Sequence, residues 1–136
     1  MSREIIFRGK SEVTNEWVYG SLVKVGNESH IVGFDEVDLD GHHLSYCSDR
    51  PIFTKQGTIG QFTGLHDKNG KDIYEGDIVL QQGYHGNKQP MVVKFECGAF
   101  IVGYHKGSST KPTPMLLNSK CEVIGNIFDN PELLED

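Results

Sequence analysis

Short segments rich in β-branched and aromatic residues alternate with turns along the whole chain, and glycine marks many of the turns. The chain has 136 residues and 16 glycines, a glycine content above the usual value of about 7%. Segments such as EWVYGSLVK, MVVKFE and AFIVGYH have the length and composition of strands. Almost no segment repeats apolar residues with the period of a helix, so the pattern predicts an all-β fold.

Several pairs of these segments are joined as hairpins. The polar stretch SEVTN separates residues 4–8 from residues 16–24, and Asp40-Gly41 separates residues 31–39 from residues 42–47. Asp-Gly between two strand-like segments indicates a type I′ turn, which needs positive φ at both central residues. We predict one domain over residues 1–136, a small, partly open β-barrel that is SH3-like in part and carries additional hairpins. Helix is expected only as one turn after Asn130-Pro131, at the C-terminus.

The segment GQFTGLHDKNGKDIYEGDIV, residues 60–79, combines glycine and carboxylates in a way that also suits a ligand-binding loop. Turn chemistry explains it better, because Asp67 can accept a hydrogen bond from the backbone two residues on and Gly70 can adopt positive φ. Glu75-Gly76 marks a second bend. A phosphate-binding loop would need Ser or Thr after Lys71 and a following helix, and neither is present.

Charge and cysteine content restrict the classes of partner and the cellular compartment that we expect. The formal net charge is −6, each half of the chain is acidic, and no Lys/Arg cluster exceeds a pair. Strong binding to nucleic acid is therefore not expected. No signal peptide is predicted, and no apolar stretch approaches the roughly 20 residues that span a membrane. Three cysteines without C-x-x-C spacing suggest a reducing cytosol.

A metal site has one weak candidate, the group Asp38, Asp40, His42 and His43. Carboxylate and imidazole ligands suit several divalent metals. If Asp40-Gly41 forms the turn, Leu39 pairs with His42 and Asp38 with His43, on opposite faces of the hairpin. Only two of the four side chains could then converge, so we expect neither a metal site nor another cofactor.

Catalytic residues are not expected either. The cysteines Cys47, Cys97 and Cys121 lie in or beside strands, where an unpaired thiol usually behaves as a small buried hydrophobe. The carboxylates of residues 67–77 could be an acid/base pair, but their turns already account for them. Aromatic residues on the strands are expected to pack in the core.

Three blocks of the sequence together resemble the YopX family of phage and prophage proteins. They are REIIFRGK followed by NEWVYGSLV, TIGQFTGLHDKNGKDIYEGDIV, and CEVIGNIFDNPELL. The resemblance implies a phage or prophage origin, a β-rich fold and expression in the bacterial cytoplasm. It implies no activity and no catalytic residues.

Three functions remain open. The first is a non-enzymatic accessory protein that binds a host or phage protein, or a second copy of itself, through an exposed sheet edge or loop. The strands around Trp17 and Val92-Val93 are candidates for such a surface, and their apolar residues are equally compatible with the core. The second is a nucleic-acid-associated module, by analogy with SH3-like and OB-like barrels. The third is a metal-dependent enzyme.

Overall fold

The structure is a computed structural model that describes residues 5–39, 42–47, 53–82, 86, 88–96, 98–104 and 115–134. For residues 33–39, 42–47 and 104 it describes the backbone and the strand pairing. The chain divides into two compact units, unit 1 (Met1–Gln61) and unit 2 (Phe62–Asp136). The prediction of a single domain remains a prediction.

Unit 1 is an antiparallel sheet with the strand order β4-β3-β2-β1-β5. Successive strand pairs are staggered: β1 pairs with the first half of β2, β3 pairs with the second half, and β4 pairs with β3 beyond Gly33. Strand β5 contributes Gly60 and Gln61 to this sheet through its pairing with β1. The strands are β1 (Phe7–Lys10), β2 (Trp17–Val25), β3 (Glu28–Leu39), β4 (His42–Cys47) and β5 (Gly60–His66).

Unit 2 contains a second antiparallel sheet, with the order β10-β9-β8-β7-β11. The remainder of β5 pairs with β6 across the Asp67–Gly70 turn. The strands are β6 (Asp72–Tyr74), β7 (Asp77–Gln82), β8 (Lys88–Glu96), β9 (Ala99–Tyr104), β10 (Met115–Leu116) and β11 (Glu122–Asn126), and a 3₁₀ turn follows at Pro131–Leu134.

The core of unit 2 is apolar. Burying these side chains supplies the main favourable free energy for folding this unit. The cluster consists of Ile73, Val79, Met91, Val93, Val102, Leu117 and Cys121.

The C-terminal 3₁₀ turn packs on the edge strand β11. A Cβ placed on Gly125 would lie 2.6 Å from Asn130 Oδ1 and 2.9 Å from Leu133 Cδ1. The Asn130 side chain also accepts a hydrogen bond from the backbone N–H of Asn126, at 3.3 Å. The turn therefore covers part of an edge that could otherwise pair with another strand.

The all-β prediction is confirmed, and in the part of the chain that the structure describes, helix is limited to the C-terminal turn, as predicted. The described strands form open sheets, not a closed barrel. Within the described ranges, no helix has the length and apolar character needed to cross a bilayer.

Candidate functional site

The first hairpin of unit 1 is fixed by polar contacts in its turn. Ser11 Oγ accepts hydrogen bonds from the backbone N–H groups of Val13 and Thr14, at 3.2 and 3.3 Å. The Ser11 N–H donates to the Glu16 carbonyl at 2.9 Å, and Asn15 adopts a left-handed conformation with φ of 61°. Asparagine tolerates this conformation better than most residues, so the turn closes and sets the register of the strands that follow.

The register brings two basic and two aromatic residues together on one face. Arg8 pairs with Tyr19 and Lys10 pairs with Trp17, so all four lie on the same side of the β1–β2 hairpin. The Arg8 guanidinium carbon lies 4.2 Å from the centroid of the Trp17 ring, and Lys10 Nζ lies 4.8 Å from it. We call this group (Arg8, Lys10, Trp17 and Tyr19) the basic–aromatic face.

Exposure differs strongly within the basic–aromatic face. Tyr19 is 47% exposed and Trp17 is partly buried, whereas Arg8 and Lys10 are only 7% and 8% exposed. Charged side chains are rarely so buried, because desolvation is costly unless they are paired. Two buried cations therefore hold an indole in place beside an exposed phenol.

Unit 1 also buries other polar groups. Its buried polar residues include Ser11, His30 and Thr54, while Ile31 is its one buried large apolar residue among those described. Polar groups without water need hydrogen-bond partners inside the protein, so such an interior depends on precise geometry.

The weak metal candidates lie mainly outside what the structure describes. The register confirms the predicted pairing of Leu39 with His42 and of Asp38 with His43. The side chains of these residues, and Asp40 entirely, fall outside the described part. Among the described residues, no three His, Cys, Asp or Glu side chains form a group that could hold a metal ion.

Within residues 60–79, turns at residues 67–70 and 75–76 join the strands β5, β6 and β7, as predicted. Asp67 Oδ1 accepts hydrogen bonds from the backbone N–H groups of Asn69 and Lys71, at 2.8 and 2.9 Å, and Gly70 has φ of 83°. In the next bend, Asp77 Oδ2 accepts from the Tyr74 N–H at 2.8 Å. Both carboxylates are used to hold backbone groups.

Asp67 has a second role that the turn alone does not require. Its Oδ2 accepts a hydrogen bond from the Val123 N–H at 2.9 Å, which ties the turn to β11. Burial raises the pKa of this carboxyl, but the three backbone N–H groups and the charge of Lys71 outweigh burial, and its pKa is lowered overall. Asp67 is therefore ionised and structural.

Cys121 is fully buried and is not arranged as a nucleophile. Burial, and then the negative charge of Asp67, raises its thiol pKa to about 11. A reactive cysteine needs the opposite shift, because the thiolate is the nucleophile. The expectation that this cysteine behaves as a buried hydrophobe is consistent with its place in the core of unit 2.

The apolar surface proposed around Val92-Val93 is not available, since Val92 and Val93 are 3% and 1% exposed. Trp17 does contribute to a partly exposed face, but the sequence did not reveal the two cations beside it. The sequence pattern that could have found them is Arg8-x-Lys10 facing Trp17-x-Tyr19 across a hairpin. It is informative only once the register is known.

Comparisons with known proteins agree with this fold. A family model described as "YopX protein" matches residues 6–135. The crystal structure of protein EF1440 from Enterococcus faecalis is similar over 98% of this chain and 100% of that chain, with a TM-score of 0.58 and 25% sequence identity. None of the curated proteins matches. Neither the family's description nor the name of the Enterococcus protein specifies a ligand or a reaction, so the function has to be argued from the site.

Proposed function

Because the chain belongs to the YopX family, we propose that it is a non-enzymatic accessory protein whose basic–aromatic face binds an acidic segment of another protein. The observation that carries this proposal is the arrangement of Trp17 and Tyr19 beside Arg8 and Lys10 on one face of a hairpin. Tryptophan, tyrosine and arginine are the residues most enriched at the energetic centres of protein interfaces.

The geometry of Trp17 favours binding without large rearrangement. Its ring lies within cation–π distance of both basic groups, at 4.2 and 4.8 Å. A side chain that is already ordered loses less conformational entropy on binding than a free one. Tyr19, which is 47% exposed, would supply additional apolar contact area and a hydroxyl group.

The charge of the face indicates the chemistry of the partner. Arg8 and Lys10 are both nearly buried, so their positive charges act from beneath the aromatic surface. A partner with carboxylates next to apolar side chains would complement this charge and use the rings as well. The chain as a whole has a net charge of −6, whereas this face carries two basic side chains.

Nucleic acid is the weaker alternative for the same face. Proteins that bind single strands combine aromatic stacking with a cationic groove that contacts the backbone phosphates. Burial of both cations leaves little of either group to contact phosphate directly. The net charge of −6 also opposes association with a polyanionic strand more than with a short acidic segment.

Further parts of the proposal rest on the family resemblance. We expect a phage or prophage origin, action in the bacterial cytoplasm, and SH3-like character in part of the chain. The partner would then be a host or phage protein.

A peptide selection tests the binding proposal and does not require the partner to be identified first. The full chain is used to select from a random peptide library, and the pool is counter-selected against a Tyr19→Ala variant. Recovered peptides are then titrated calorimetrically against wild type, Tyr19→Ala and the control Leu22→Ala. Leu22 is a suitable control because it lies on the same strand, is 40% exposed, and lies on the opposite face.

The proposal expects peptides rich in Asp or Glu next to apolar residues, bound at least about tenfold more weakly by Tyr19→Ala and unchanged by Leu22→Ala. Basic consensus peptides, or equal effects of the two variants, would refute it. Single-stranded DNA should bind no better than about 10⁻⁴ M at physiological salt. Micromolar DNA binding that weakens with salt would identify nucleic acid as the ligand of this face. A dimer that Tyr19→Ala dissociates would instead identify a second copy of the chain.

A further inference from the structure

A short segment of unit 1, Phe53–Thr58, which we call the strap, is hydrogen-bonded to two separate strands. On one side it holds the end of β1. The Lys55 N–H donates to the Lys10 carbonyl at 2.8 Å, the Lys10 N–H donates to Thr58 Oγ1 at 3.0 Å, and the Glu12 N–H donates to the Phe53 carbonyl at 2.9 Å. The strap therefore fixes the backbone of Lys10, one member of the basic–aromatic face.

On its other side the strap is attached to β3. The Thr54 N–H donates to His30 Nδ1 at 3.0 Å, and Thr54 Oγ1 accepts from the Ile31 N–H at 3.3 Å. The Gln56 side-chain amide pairs with the backbone of Ser29, donating to its carbonyl at 3.0 Å and accepting from its N–H at 3.4 Å. Of these contacts, the bond between Thr54 and His30 is the one that a proton can break.

The hydrogen bonds of His30 define its tautomer. A backbone N–H can only donate, so Nδ1 of His30 must be the unprotonated, accepting nitrogen. The proton is then on Nε2, which lies 3.0 Å from Glu28 Oε2 and donates to it. His30 is 1% exposed, and the ring of Phe53 contacts it edge-on with centroids 5.2 Å apart.

We propose that His30 is a proton-controlled latch for the strap, and that its protonation loosens the basic–aromatic face at Lys10. A second proton on the imidazole must go to Nδ1, where it would oppose the Thr54 N–H at 3.0 Å. Two donors cannot share this position, so the strap loses this one of its hydrogen bonds to β3. Imidazole is the side chain whose charge most readily changes between about pH 5 and pH 8. The consequence for binding, though not the latch itself, rests on the proposed function.

The charged groups nearest His30 lie on three elements. Glu28, on the same strand, places a carboxylate oxygen 3.0 Å from Nε2. On β2, Val23 is the residue opposite His30, and its neighbour Lys24 is directed to the other face. On the strap, the Lys55 ammonium is bonded to Asn15 Oδ1 at 2.6 Å. Among the described residues, Glu28 is thus the charged group in contact with the imidazole.

Amide exchange and NMR of the full chain test the latch directly. The ¹⁵N shifts of His30 report its protonation, and the exchange protection of the Thr54 amide reports the strap. Between about pH 8 and about pH 5, after correction for the intrinsic exchange rate, Thr54 should lose at least about tenfold in protection. The amide of Val93, a core residue of unit 2, serves as the internal control and should not change. Trp17 is the one tryptophan of the chain, and its fluorescence should change with the same midpoint.

Variants separate the latch from general acid unfolding. Glu28→Gln removes the contacting carboxylate from a side chain that is 60% exposed, so the protein should fold and the midpoint of the Thr54 change should differ from that of wild type. Glu16→Gln, on an exposed side chain of the same unit, should leave the midpoint unchanged. Constant Thr54 protection while His30 titrates, or equal midpoints for Glu28→Gln and wild type, would overturn the latch. Neither measurement involves a partner, so the binding proposal can fail while the latch stands, and the reverse.

Discussion

Replacing Asp67 by asparagine should destabilise unit 2 by considerably more than a change of similar size on its surface. The carboxylate is 6% exposed and accepts three backbone hydrogen bonds, two at Oδ1 and one at Oδ2. Asparagine offers one accepting oxygen, so its NH₂ group must face either the Val123 N–H or the two N–H groups of the turn. In the better orientation the oxygen keeps the two bonds of the turn, and the Asn NH₂ faces the Val123 N–H, so that one hydrogen bond is lost and two donors oppose each other. The two remaining bonds are made to a neutral oxygen instead of a charged one.

The expected magnitude follows from these losses. A hydrogen bond to a charged group contributes about 1.5–3 kcal/mol, and a neutral one about 1 kcal/mol. Removing a buried charge recovers part of its desolvation cost, so the net loss should be about 2–4 kcal/mol. The control is Asp72→Asn, whose side chain is 51% exposed and paired with His66. An exposed ion pair of this kind contributes about 0–1 kcal/mol.

The pH dependence gives a second, independent check. The pKa of Asp67 is lowered in the folded protein, so its contribution to the free energy of unfolding is complete above the unfolded-state pKa of about 3.9. It is lost as the pH falls through the folded-state pKa. The stability difference between wild type and Asp67→Asn should be constant above about pH 5 and should shrink below about pH 4.

Urea denaturation followed by far-UV circular dichroism, at several pH values, measures both quantities. The reasoning is wrong if Asp67→Asn is as stable as Asp72→Asn at neutral pH. It is also wrong if the difference between Asp67→Asn and wild type persists unchanged in strong acid.

Three further predictions concern the turns, the buried thiol and the untested metal site. Gly70→Ala should cost about 1 kcal/mol, because φ is 83° but the added Cβ meets no atom within 4 Å. Gly76→Ala should cost more in the same denaturation assay, since φ is 88° and the Cβ would also lie 3.2 Å from Phe128 Cε2; equal costs would contradict this. Cys121, with its pKa raised to about 11, should resist iodoacetamide in the native state, as peptide mapping would show, and rapid alkylation would contradict its burial. Zinc in excess should leave the melting temperature unchanged. A specific site filled at 100 times Kd would add about 2.7 kcal/mol to the free energy of unfolding. A large rise in melting temperature that disappears when the two histidines at the start of β4 are replaced would contradict this prediction.

Local sequence features predicted the turns correctly because the residues that stabilise a turn lie within a few positions of one another. Asp67 was expected to accept a hydrogen bond from the backbone two residues on, and it does so from Asn69. Its bond to Val123, 56 residues away, could not be predicted from the turn, since it depends on where β11 lies. The same limit applies to Thr54, whose segment has no regular pattern and whose contacts with His30 are long-range.

The basic–aromatic face shows why a site can be missed even when its hairpin is predicted. Strand pairing was expected for residues 4–8 and 16–24, but a shift of one residue would place Arg8 and Tyr19 on opposite faces. The contacts of Ser11 and Asn15 accompany the observed register, and the sequence alone does not show which turn they form. The overall composition also gave no indication of the basic–aromatic face, because a net charge of −6 does not show that two cations lie beside one indole.

The two units differ in what their stability depends on, and this difference supports placing the function in unit 1. Unit 2 is held mainly by apolar packing, where losing side-chain volume costs stability, and its buried Asp67 adds the hydrogen bonds described above. The described interior of unit 1 is instead rich in charged and hydrogen-bonding groups, including Arg8, His30 and Thr54. An interior of this kind stabilises a fold less efficiently than apolar packing, because each polar group must recover its desolvation cost through defined partners. The cation–π and hydrogen-bond contacts of this interior hold Trp17 and Lys10 in one arrangement. A defined arrangement of a few side chains is what a binding face requires.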